Sequence, residues 1–485
     1  GVINFNGSLS VASNDNDTNP FTFSMEGNVI IPTQNCKAEI SPSECNALFK
    51  FYQDTDGPNW TNSPANNWYQ TDKPCNWTGI TCSLPNAQTK KRQVTKIELA
   101  SNNLRGSLPN LAALKELETL SLGNNQLSGS IPNFSGFKEL RFLDLGRNQL
   151  TGSLPAHLNN ITPLETLDLR NNQLTGEIPD LSKLLNLQTL VLANNQLTGV
   201  VPKDLNNLSQ LENLNLSSNE LSGAIPNFAN LLQLQQLNLS YNQLTGPLPV
   251  KLSQLVNLKQ LHLGSNQLTG SIPAELNQLV NLTLLYLDGN RLTGSIPAEL
   301  GQLVNLNQLN LHNNQLRGEI PASFLALTNL TQLNLGYNRL AKTKNTELQN
   351  FLADRAPAWD LIQTIPPADV NAEVLSATEV QLTWEPIPYT ANGGYYQIRL
   401  VDREEPLTNT ADQGGKTATG TIVTDLSPYT EYCFIVETHT PVHLQQQNAL
   451  TSVPSAETCI TTYSMYFSMP NPGETLDMQS SAVGT

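Results

Sequence analysis

The sequence predicts an α/β solenoid followed by an all-β sandwich. Two observations support this prediction. A pattern of the form L-x-L-x-x-N-x-L-x-G-x-I-P recurs eleven times between residues 96 and 340. After residue 366 it is replaced by short alternating segments, about ten residues apart and bounded by turn residues, which are typical of sandwich strands. With 39% hydrophobic residues, a chain of 485 residues is long enough for several buried cores.

The repeat has a period of 23 or 24 residues, measured between its asparagines. These are Asn102, Asn125, Asn148, Asn172, Asn195, Asn219, Asn242, Asn266, Asn290, Asn314 and Asn338. A unit of this length cannot bury its own apolar edge, so the copies have to stack. The period is the signature of leucine-rich repeats, and the L-x-G-x-I-P ending resembles the plant-specific class, which also occurs in bacterial surface proteins. That resemblance implies strands on a concave face and a second short sheet formed by the I-P segment on one flank.

The constant positions of each repeat have structural roles. In "LLYLDGNRL", Leu285 and Leu287 should point inward while Tyr286 faces outward, because side chains alternate along a strand. The turn asparagine has an amide that can bond backbone groups of its own coil and of the adjoining one. The glycine suits a backbone position hostile to a Cβ atom, and the proline limits the return path to extended or turn geometry.

Caps are required at both ends of the stack, because each end otherwise exposes an apolar layer. Ser41 and Glu44 predict a capping box at the start of a helix, with Pro42 at its first position. The segment "CNWTGITC", residues 75–82, is similar to the signature of the plant-type amino-terminal cap. After the repeats, the apolar stripe in "NTELQNFLADRAPAW" predicts a helical lid.

The six cysteines form three closely spaced pairs inside separate modules. They are Cys36 and Cys45, Cys75 and Cys82, and Cys433 and Cys459. Even, local pairing predicts disulfides in an oxidising compartment, although the sequence leaves the connectivity open. No CxxC spacing occurs and no histidine lies near the first four cysteines, so we predict neither a metal site nor a cofactor. We expect a secreted or cell-surface protein.

A corner motif marks the carboxy-terminal sandwich. The segment "LSPYTEYCFIV", residues 426–436, resembles the corner of fibronectin type III domains. The resemblance covers residues 367–463 and implies that Tyr432 is the corner tyrosine and Trp384 the core tryptophan. Cys433 and Cys459 would then fall on the last two strands, where we expect a cross-strand disulfide.

Residues 1–31 resemble the closing strands of an immunoglobulin-like sandwich found in repeated bacterial surface modules. Two or three strands rarely hold together alone, so this segment indicates a piece of a longer protein or a strand donated to a neighbour. The predicted organisation is this fragment at 1–31, an amino-terminal cap at 32–95, repeats at 96–340, a carboxy-terminal cap at 341–366, the sandwich at 367–463 and a tail or linker at 464–485.

Charge and hydropathy argue against nucleic-acid partners, binding to anionic membranes and insertion into a membrane. The formal net charge of −15 argues against nucleic acid and anionic membranes, which require a basic face. No run of roughly eighteen or more apolar residues occurs, so no membrane-spanning segment is predicted.

The outward strand positions and the turns vary between copies, so these residues are free to recognise a partner. The amino-terminal cluster comprises Phe142, Asp144, Arg147, Asp168 and Arg170, and the carboxy-terminal cluster comprises Tyr241, His262, Tyr286, Asp288, His312 and Tyr337. Aromatic and imidazole groups on a rigid concave scaffold are typical of a surface that recognises a peptide or a sugar. The structural alternative is that these residues only keep the surface of the solenoid solvated and recognise no partner.

An enzymatic role is not predicted. Asp144 and Asp168 would lie roughly 5 Å apart, near the carboxylate separation of a retaining glycosidase. The neighbouring arginines should keep both ionised, which leaves no acid with a raised pKa. His262 and His312 are two repeats apart, too far for one metal ion without a bridging ligand. No GxSxG motif occurs, and no cysteine is expected to be free.

The sequence therefore predicts a non-enzymatic extracellular protein, most typical of bacteria, that binds or adheres through its concave face. Its ligand would be a peptide, a protein or a glycan. The alternative is a structural subunit of an extracellular filament or appendage, self-associated through its terminal β segments. An inhibitor of a wall-degrading glycosidase is a third hypothesis, which rests on the resemblance to polygalacturonase-inhibiting proteins alone.

Overall fold

The computed structural model describes residues 39–61, 68 and 71–464, together with the backbone of four short strands near the amino terminus. The chain forms two compact units, residues 1–197 and residues 198–485, and each is described by itself. The fold class predicted from the sequence is confirmed: leucine-rich coils with an amino-terminal cap are followed by a β-sandwich. The domain boundaries remain a prediction.

The four amino-terminal strands pair as two antiparallel ladders. Ile3–Asn4 pairs with Asn28–Val29, and Ser8–Ser10 pairs with Thr22–Ser24. The rest of the segment that resembles an immunoglobulin-like module, and residues 465–485 of the expected tail, lie outside the described residues.

The amino-terminal cap is built on the helix Pro42–Asp54. Its capping box is present: the Ser41 hydroxyl accepts a hydrogen bond from the Glu44 backbone N–H at 3.3 Å, and the Glu44 carboxylate accepts one from the Ser41 N–H at 3.1 Å. The other Glu44 oxygen accepts from the Val94 N–H at 3.0 Å, which ties the helix to the first strand of the repeats. The carboxylate that caps the helix therefore also anchors it to the stack.

The first strand is also linked to the cap through its edge. Strand Ile80–Cys82 pairs antiparallel with Val94–Glu98, and Cys82 is disulfide-bonded to Cys75. Cys45 is disulfide-bonded too, while Cys36, its expected partner, lies outside the described residues.

Each coil contributes one short parallel strand with a buried leucine at its centre, except the first strand, in which Val94 and Ile97 are buried. In the first unit these strands are Val94–Glu98, Thr119–Ser121, Phe142–Asp144, Thr166–Asp168 and Thr189–Val191. In the second unit they are Asn213–Asn215, Gln236–Asn238, Gln260–His262, Leu284–Tyr286, Gln308–Asn310 and Gln332–Asn334. Their outward side, predicted to be concave, is called the strand face below.

The turn asparagines join each coil to the preceding one. The Asn314 amide donates to the Leu287 carbonyl of the preceding coil at 2.9 Å and to the Leu311 carbonyl of its own coil at 3.2 Å. Its side-chain oxygen accepts from the Leu292 N–H at 3.0 Å. Asn125 makes the equivalent bonds in the first unit. The predicted role of these amides is confirmed, and it satisfies backbone groups that the turn would otherwise bury unpaired.

The flank strands form three short parallel sheets, where the resemblance implied a single one. The first contains Arg105–Ser107, Gln126–Ser130, Gln149–Ser153, Gln173–Glu177 and Gln196–Thr198; the second contains Ser222–Ala224, Gln243–Pro247 and Gln267–Thr269; the third contains Arg317–Glu319 and Arg339–Ala341. In the coil of Gln149–Ser153 the strand ends before the Leu154–Pro155 pair, so the sheet precedes the I-P position instead of containing it. Proline has no N–H to donate to a ladder, so a strand can end at a proline, as Gln243–Pro247 does, but does not continue through one. Gly152 within that strand has a φ of +79°, as expected for a position hostile to a Cβ atom.

After the flank, several coils return through a short 3₁₀ helix. These helices are Ala156–Asn160 in the first unit and Lys203–Asn207, Val250–Gln254, Ala274–Gln278, Ala298–Gln302 and Ala322–Ala326 in the second. The helix Thr346–Arg355 then closes the stack with Leu348 and Leu352 buried beneath it. Behind this lid, Trp359 is buried in the 3₁₀ helix Trp359–Ile362.

The carboxy-terminal sandwich has two antiparallel sheets. One contains Ala368–Val374, Val380–Glu385 and Gly420–Val423; the other contains Tyr395–Leu400, Pro406–Asn409, Glu431–Thr440, Leu450–Thr451 and Thr458–Thr461. The Tyr432 hydroxyl accepts from the Ser427 N–H at 2.8 Å, and the buried Trp384 indole donates to the Ala418 carbonyl at 2.8 Å. Cys433 and Cys459 are register partners and are disulfide-bonded. The corner tyrosine, the core tryptophan and this disulfide are therefore where the sequence predicts them.

The inward leucines make a strong prediction about stability. Leu287 is fully buried, and so are its neighbours Leu285 and Leu292. We expect Leu287→Ala to lower the free energy of unfolding by roughly 2–5 kcal/mol, because the substitution leaves a void that the rigid coils cannot close. Denaturant unfolding of the two proteins measures the difference. A loss below about 1 kcal/mol would show that the coil relaxes around the smaller side chain.

Lys416 of the sandwich is buried, with 2% of its surface exposed. Its ammonium donates to the Ala391 carbonyl at 2.8 Å and lies 4.0 Å from the centre of the Tyr389 ring. Burial lowers the pKa of Lys416 to about 8. In the unfolded chain the same lysine keeps its proton up to its ordinary pKa of 10.5. Between these two pH values the unfolded state therefore binds more protons, and stability rises with pH.

We expect this lysine to change the pH dependence of folding. As pH rises from 7 to about 10.5, the native protein should gain on the order of 3 kcal/mol relative to the Lys416→Met variant. Denaturant unfolding of both proteins across this range tests the expectation. A stability difference that does not change with pH would contradict it.

Candidate ligand-binding surface

The amino-terminal cluster lies on two adjacent strands of the first unit. Asp144 and Asp168 are register partners in the parallel pair Phe142–Asp144 and Thr166–Asp168. Asp168 is 7% exposed and forms an ion pair with Arg170, whose Nε lies 2.7 Å from its carboxylate. Asp144 accepts from the Gly146 N–H at 2.9 Å. With Arg147, these side chains line a shallow cavity of about 210 Å³.

The electrostatics of this cluster differ from the expectation at one residue. Burial raises the pKa of Asp144, and the charge of Asp168 adds to this effect. The Gly146 hydrogen bond and the charges of Arg170 and Arg147 oppose it without cancelling it. The prediction that arginines leave no acid with a raised pKa is therefore wrong for Asp144, because desolvation outweighs the neighbouring positive charges. Asp168 forms its ion pair with Arg170 in this arrangement.

In the carboxy-terminal cluster, His262 and Tyr286 meet directly. They are register partners on adjacent strands, and their rings pack edge to face with centres 4.7 Å apart. The Tyr286 hydroxyl donates to the side-chain oxygen of Gln308 on the next strand. Burial lowers the pKa of His262, which favours its neutral form. The structure thus holds an aromatic and imidazole pair in a fixed orientation on the strand face.

Asp288 lies two residues beyond the strand Leu284–Tyr286, beside Gly264 of the preceding coil. A Cβ atom at residue 264 would lie 2.7 Å from the Asp288 carboxylate, so Gly264 provides the space that this side chain occupies. Burial raises the pKa of Asp288. His262, Tyr286 and Asp288 are all half-buried, which leaves part of each accessible from the strand face.

Tyr337 is not available to a ligand in the way the sequence suggests. It is 8% exposed, because the sandwich covers it: its hydroxyl donates to the Gln445 side chain, and its ring centre lies 5.4 Å from that of His443 and 5.7 Å from that of Tyr389. Tyr337 instead joins the core between the last coil and the sandwich. His312 packs edge to face on Tyr337 at 5.0 Å, and burial lowers its pKa.

The turn residues of the two clusters occupy a different place from the strand residues. Arg147, Tyr241 and Tyr337 directly precede the turn asparagine and have φ values of 56°, 55° and 51°. Arg170 and Asp288 lie one residue earlier, where the backbone does not take this left-handed form. These turn residues therefore occupy two successive positions with different backbone conformations. Tyr241 therefore belongs to a turn and not to the strand face, and it is 64% exposed.

Sequence reasoning missed the contact between a sandwich loop and the last coils. The Gln447 N–H donates to the Asn313 side chain at 3.0 Å, and the Asn448 side chain donates to the Asn290 carbonyl at 2.6 Å. Arg339 of the last coil donates to the Thr451 carbonyl at 3.0 Å. The amide-rich tract "QQQN", residues 445–448, is the signal that could have indicated this docking. The loop thus closes the edge of the strand face beside His312.

Within residues 39–61, 68 and 71–464, no three His, Cys, Asp or Glu residues lie close enough together to hold a metal ion. Among the same described residues, no helix is both long and apolar enough to cross a membrane.

Comparison with known families agrees with this architecture. Models described as leucine-rich repeats match residues 116–137, 138–183, 162–221, 233–255, 257–279 and 280–340. The leucine-rich repeat N-terminal domain matches residues 41–83, and the fibronectin type III domain matches residues 365–450. The chain is a leucine-rich-repeat protein. Domains of these kinds are typically binding modules without catalytic function.

Among known proteins, this leucine-rich-repeat protein is similar to plant receptor ectodomains. The ectodomain of the receptor kinase GASSHO1/SCHENGEN3 from Arabidopsis thaliana, solved in complex with CASPARIAN STRIP INTEGRITY FACTOR 2, is 35% identical, with a TM-score of 0.58 over 61% of this chain and 36% of that one. A plant ice-binding protein is 28% identical, with a TM-score of 0.50 over 59% of this chain and 90% of that one.

A curated relative is a probable leucine-rich repeat receptor-like protein kinase of Arabidopsis thaliana. It is 37% identical over 94 residues, which are 19% of this chain and 12% of the relative. The chain thus spans about a third of the receptor ectodomain and about an eighth of this kinase.

Proposed function

We propose that this protein is an extracellular, non-enzymatic binding protein that recognises a peptide or protein ligand on its strand face. The observation that carries the proposal is the arrangement of His262, Tyr286 and Asp288. An edge-to-face aromatic pair lies on adjacent parallel strands, and a partly desolvated carboxylate follows two residues after Tyr286. The leucines at the centres of these two strands, Leu261 and Leu285, are fully buried and hold the pair in place. Rigid aromatic groups with a few polar neighbours are typical of interface hot spots.

The similarity to a ligand-bound receptor ectodomain supports this assignment. The GASSHO1/SCHENGEN3 ectodomain was solved in complex with CASPARIAN STRIP INTEGRITY FACTOR 2, and it is 35% identical to the chain over the matched region. The disulfides Cys75–Cys82 and Cys433–Cys459 support an oxidising, extracellular location. The alternative role as a filament subunit depends on terminal segments that lie largely outside the described residues.

The ligand site can be tested by removing the ring pair. We expect the double variant His262→Ala, Tyr286→Ala to lose at least about tenfold in ligand affinity while the protein stays folded, because both half-buried rings lie outside the leucine core of the stack. The ligand is first selected with the native protein on arrays of short peptides and of glycans, and its affinity is then measured by calorimetry.

A matched control separates the site from a general effect of lost aromatic surface. Tyr429→Ala removes a 79% exposed ring from the sandwich and should leave affinity unchanged. If the double variant bound the selected ligand with native affinity, His262 and Tyr286 would not form the binding site. Selection of a glycan instead of a peptide would keep the site and change the ligand class.

A further inference from the structure

A separate cavity lies where the last flank strands meet the sandwich. Its volume is about 690 Å³, within the range of small-ligand sites. The residues that give it its chemistry are Arg317, Arg339, Lys342, Ile365, Pro366 and Val453. All of them belong to the unit formed by residues 198–485. The cavity therefore has walls from both the repeats and the sandwich.

Positive charge is concentrated at this cavity. Arg317 and Arg339 are register partners on the adjacent parallel strands Arg317–Glu319 and Arg339–Ala341. Burial lowers the pKa of Arg339, and the charge of Arg317 lowers it further. Like charges directly opposite one another on neighbouring strands are destabilising. The chain as a whole is acidic, with a net charge of −15, so two arginines side by side are a local exception. Their mutual repulsion would be relieved by an anionic partner bound between them.

The polar atoms of the cavity are incompletely paired. The two terminal nitrogens of Arg339 donate to the Thr451 and Gln315 carbonyls at 3.0 and 2.9 Å, but its Nε is buried and has no hydrogen-bond partner among the described residues. Lys342 pairs with Asp360 at 2.9 Å. Within the described part of the chain, no carboxylate forms an ion pair with Arg317 or Arg339.

The chemistry of the walls restricts the ligand. A carboxylate fits two guanidinium groups well, because its two oxygens can each accept from a planar fork of N–H donors. Ile365, Pro366 and Val453 form an apolar wall beside the cations. The lining contains no aromatic ring on which a sugar could stack. An anionic group attached to an aliphatic body therefore matches the cavity better than an acidic sugar does.

We propose that this junction cavity binds an acidic peptide segment, with one carboxylate between Arg317 and Arg339 and a neighbouring aliphatic side chain against Ile365 and Val453. The site is independent of the proposed site at His262 and Tyr286, because the flank strands that form it are distinct from the strands of that face. It gives the protein a second recognition surface of defined charge.

The test uses the full chain and a designed probe. The probe is an acetylated peptide of alternating Glu and Leu, and its charge-free counterpart alternates Gln and Leu. Calorimetry at low salt should show binding of the Glu-Leu peptide and no binding of the Gln-Leu peptide. Arg317→Gln should weaken the Glu-Leu affinity at least about tenfold, which corresponds to roughly 1.4 kcal/mol.

The first repeat supplies a matched control. Arg105 occupies the same L-R-G position on the flank strand Arg105–Ser107, is exposed, and faces no second arginine in the register of its strand. Arg105→Gln makes the same change in net charge and should bind the Glu-Leu peptide like the native protein. The melting temperature of Arg317→Gln should be equal to or above that of the native protein, because one of two repelling charges is gone.

The outcomes are decisive for the proposal. Equal affinity of Arg317→Gln and the native protein for the Glu-Leu peptide would overturn it, as would equal binding of the Gln-Leu peptide. Binding of glucuronate that depends on Arg317, without binding of the Glu-Leu peptide, would overturn the peptide assignment in favour of a sugar acid. The His262→Ala, Tyr286→Ala variant should bind the Glu-Leu peptide normally, so failure at one site is distinguishable from failure at the other.

Discussion

The amide of the turn asparagine is the interaction on which the coils depend. At Asn314 it donates to the backbone of two successive coils and accepts from a third backbone group, with no surface left exposed. Backbone groups that the bend removes from water are thereby paired, and each coil is held to its predecessor. The leucines supply most of the burial, but the amide fixes the register in which they stack. The outward residues are positioned only because this register is constant.

Most of the coil architecture could be predicted from the sequence because it arises from short-range periodicity. The inward Leu285 and Leu287, the capping box at Ser41 and the corner at Tyr432 are where their patterns predict them. The position of the flank strands was wrong by a few residues, since the pattern does not show which residues of the return path can donate to a ladder.

The candidate surface was predictable only in part, because it depends on contacts between residues far apart in the chain. The pairing of His262 with Tyr286 follows from the repeat spacing. The burial of Tyr337 does not, since residues more than 100 positions later cover it. The raised pKa of Asp144 likewise results from desolvation, which depends on the packed surroundings and not on the charges nearby in the sequence. The meeting of Arg317 and Arg339 with the apolar wall of the sandwich has the same long-range origin.

The docked loop of the sandwich has a consequence for how this protein can change over evolution. Repeat proteins commonly grow or shrink by duplication and loss of whole copies, because each copy contacts only its neighbours. Here Gln447 and Asn448 bind the turns at Asn313 and Asn290, and Gln445 contacts Tyr337, so the final coils are individually matched to one loop. Copies in the middle of the chain are interchangeable in this sense. The final coils and the sandwich have to be inherited as a single block.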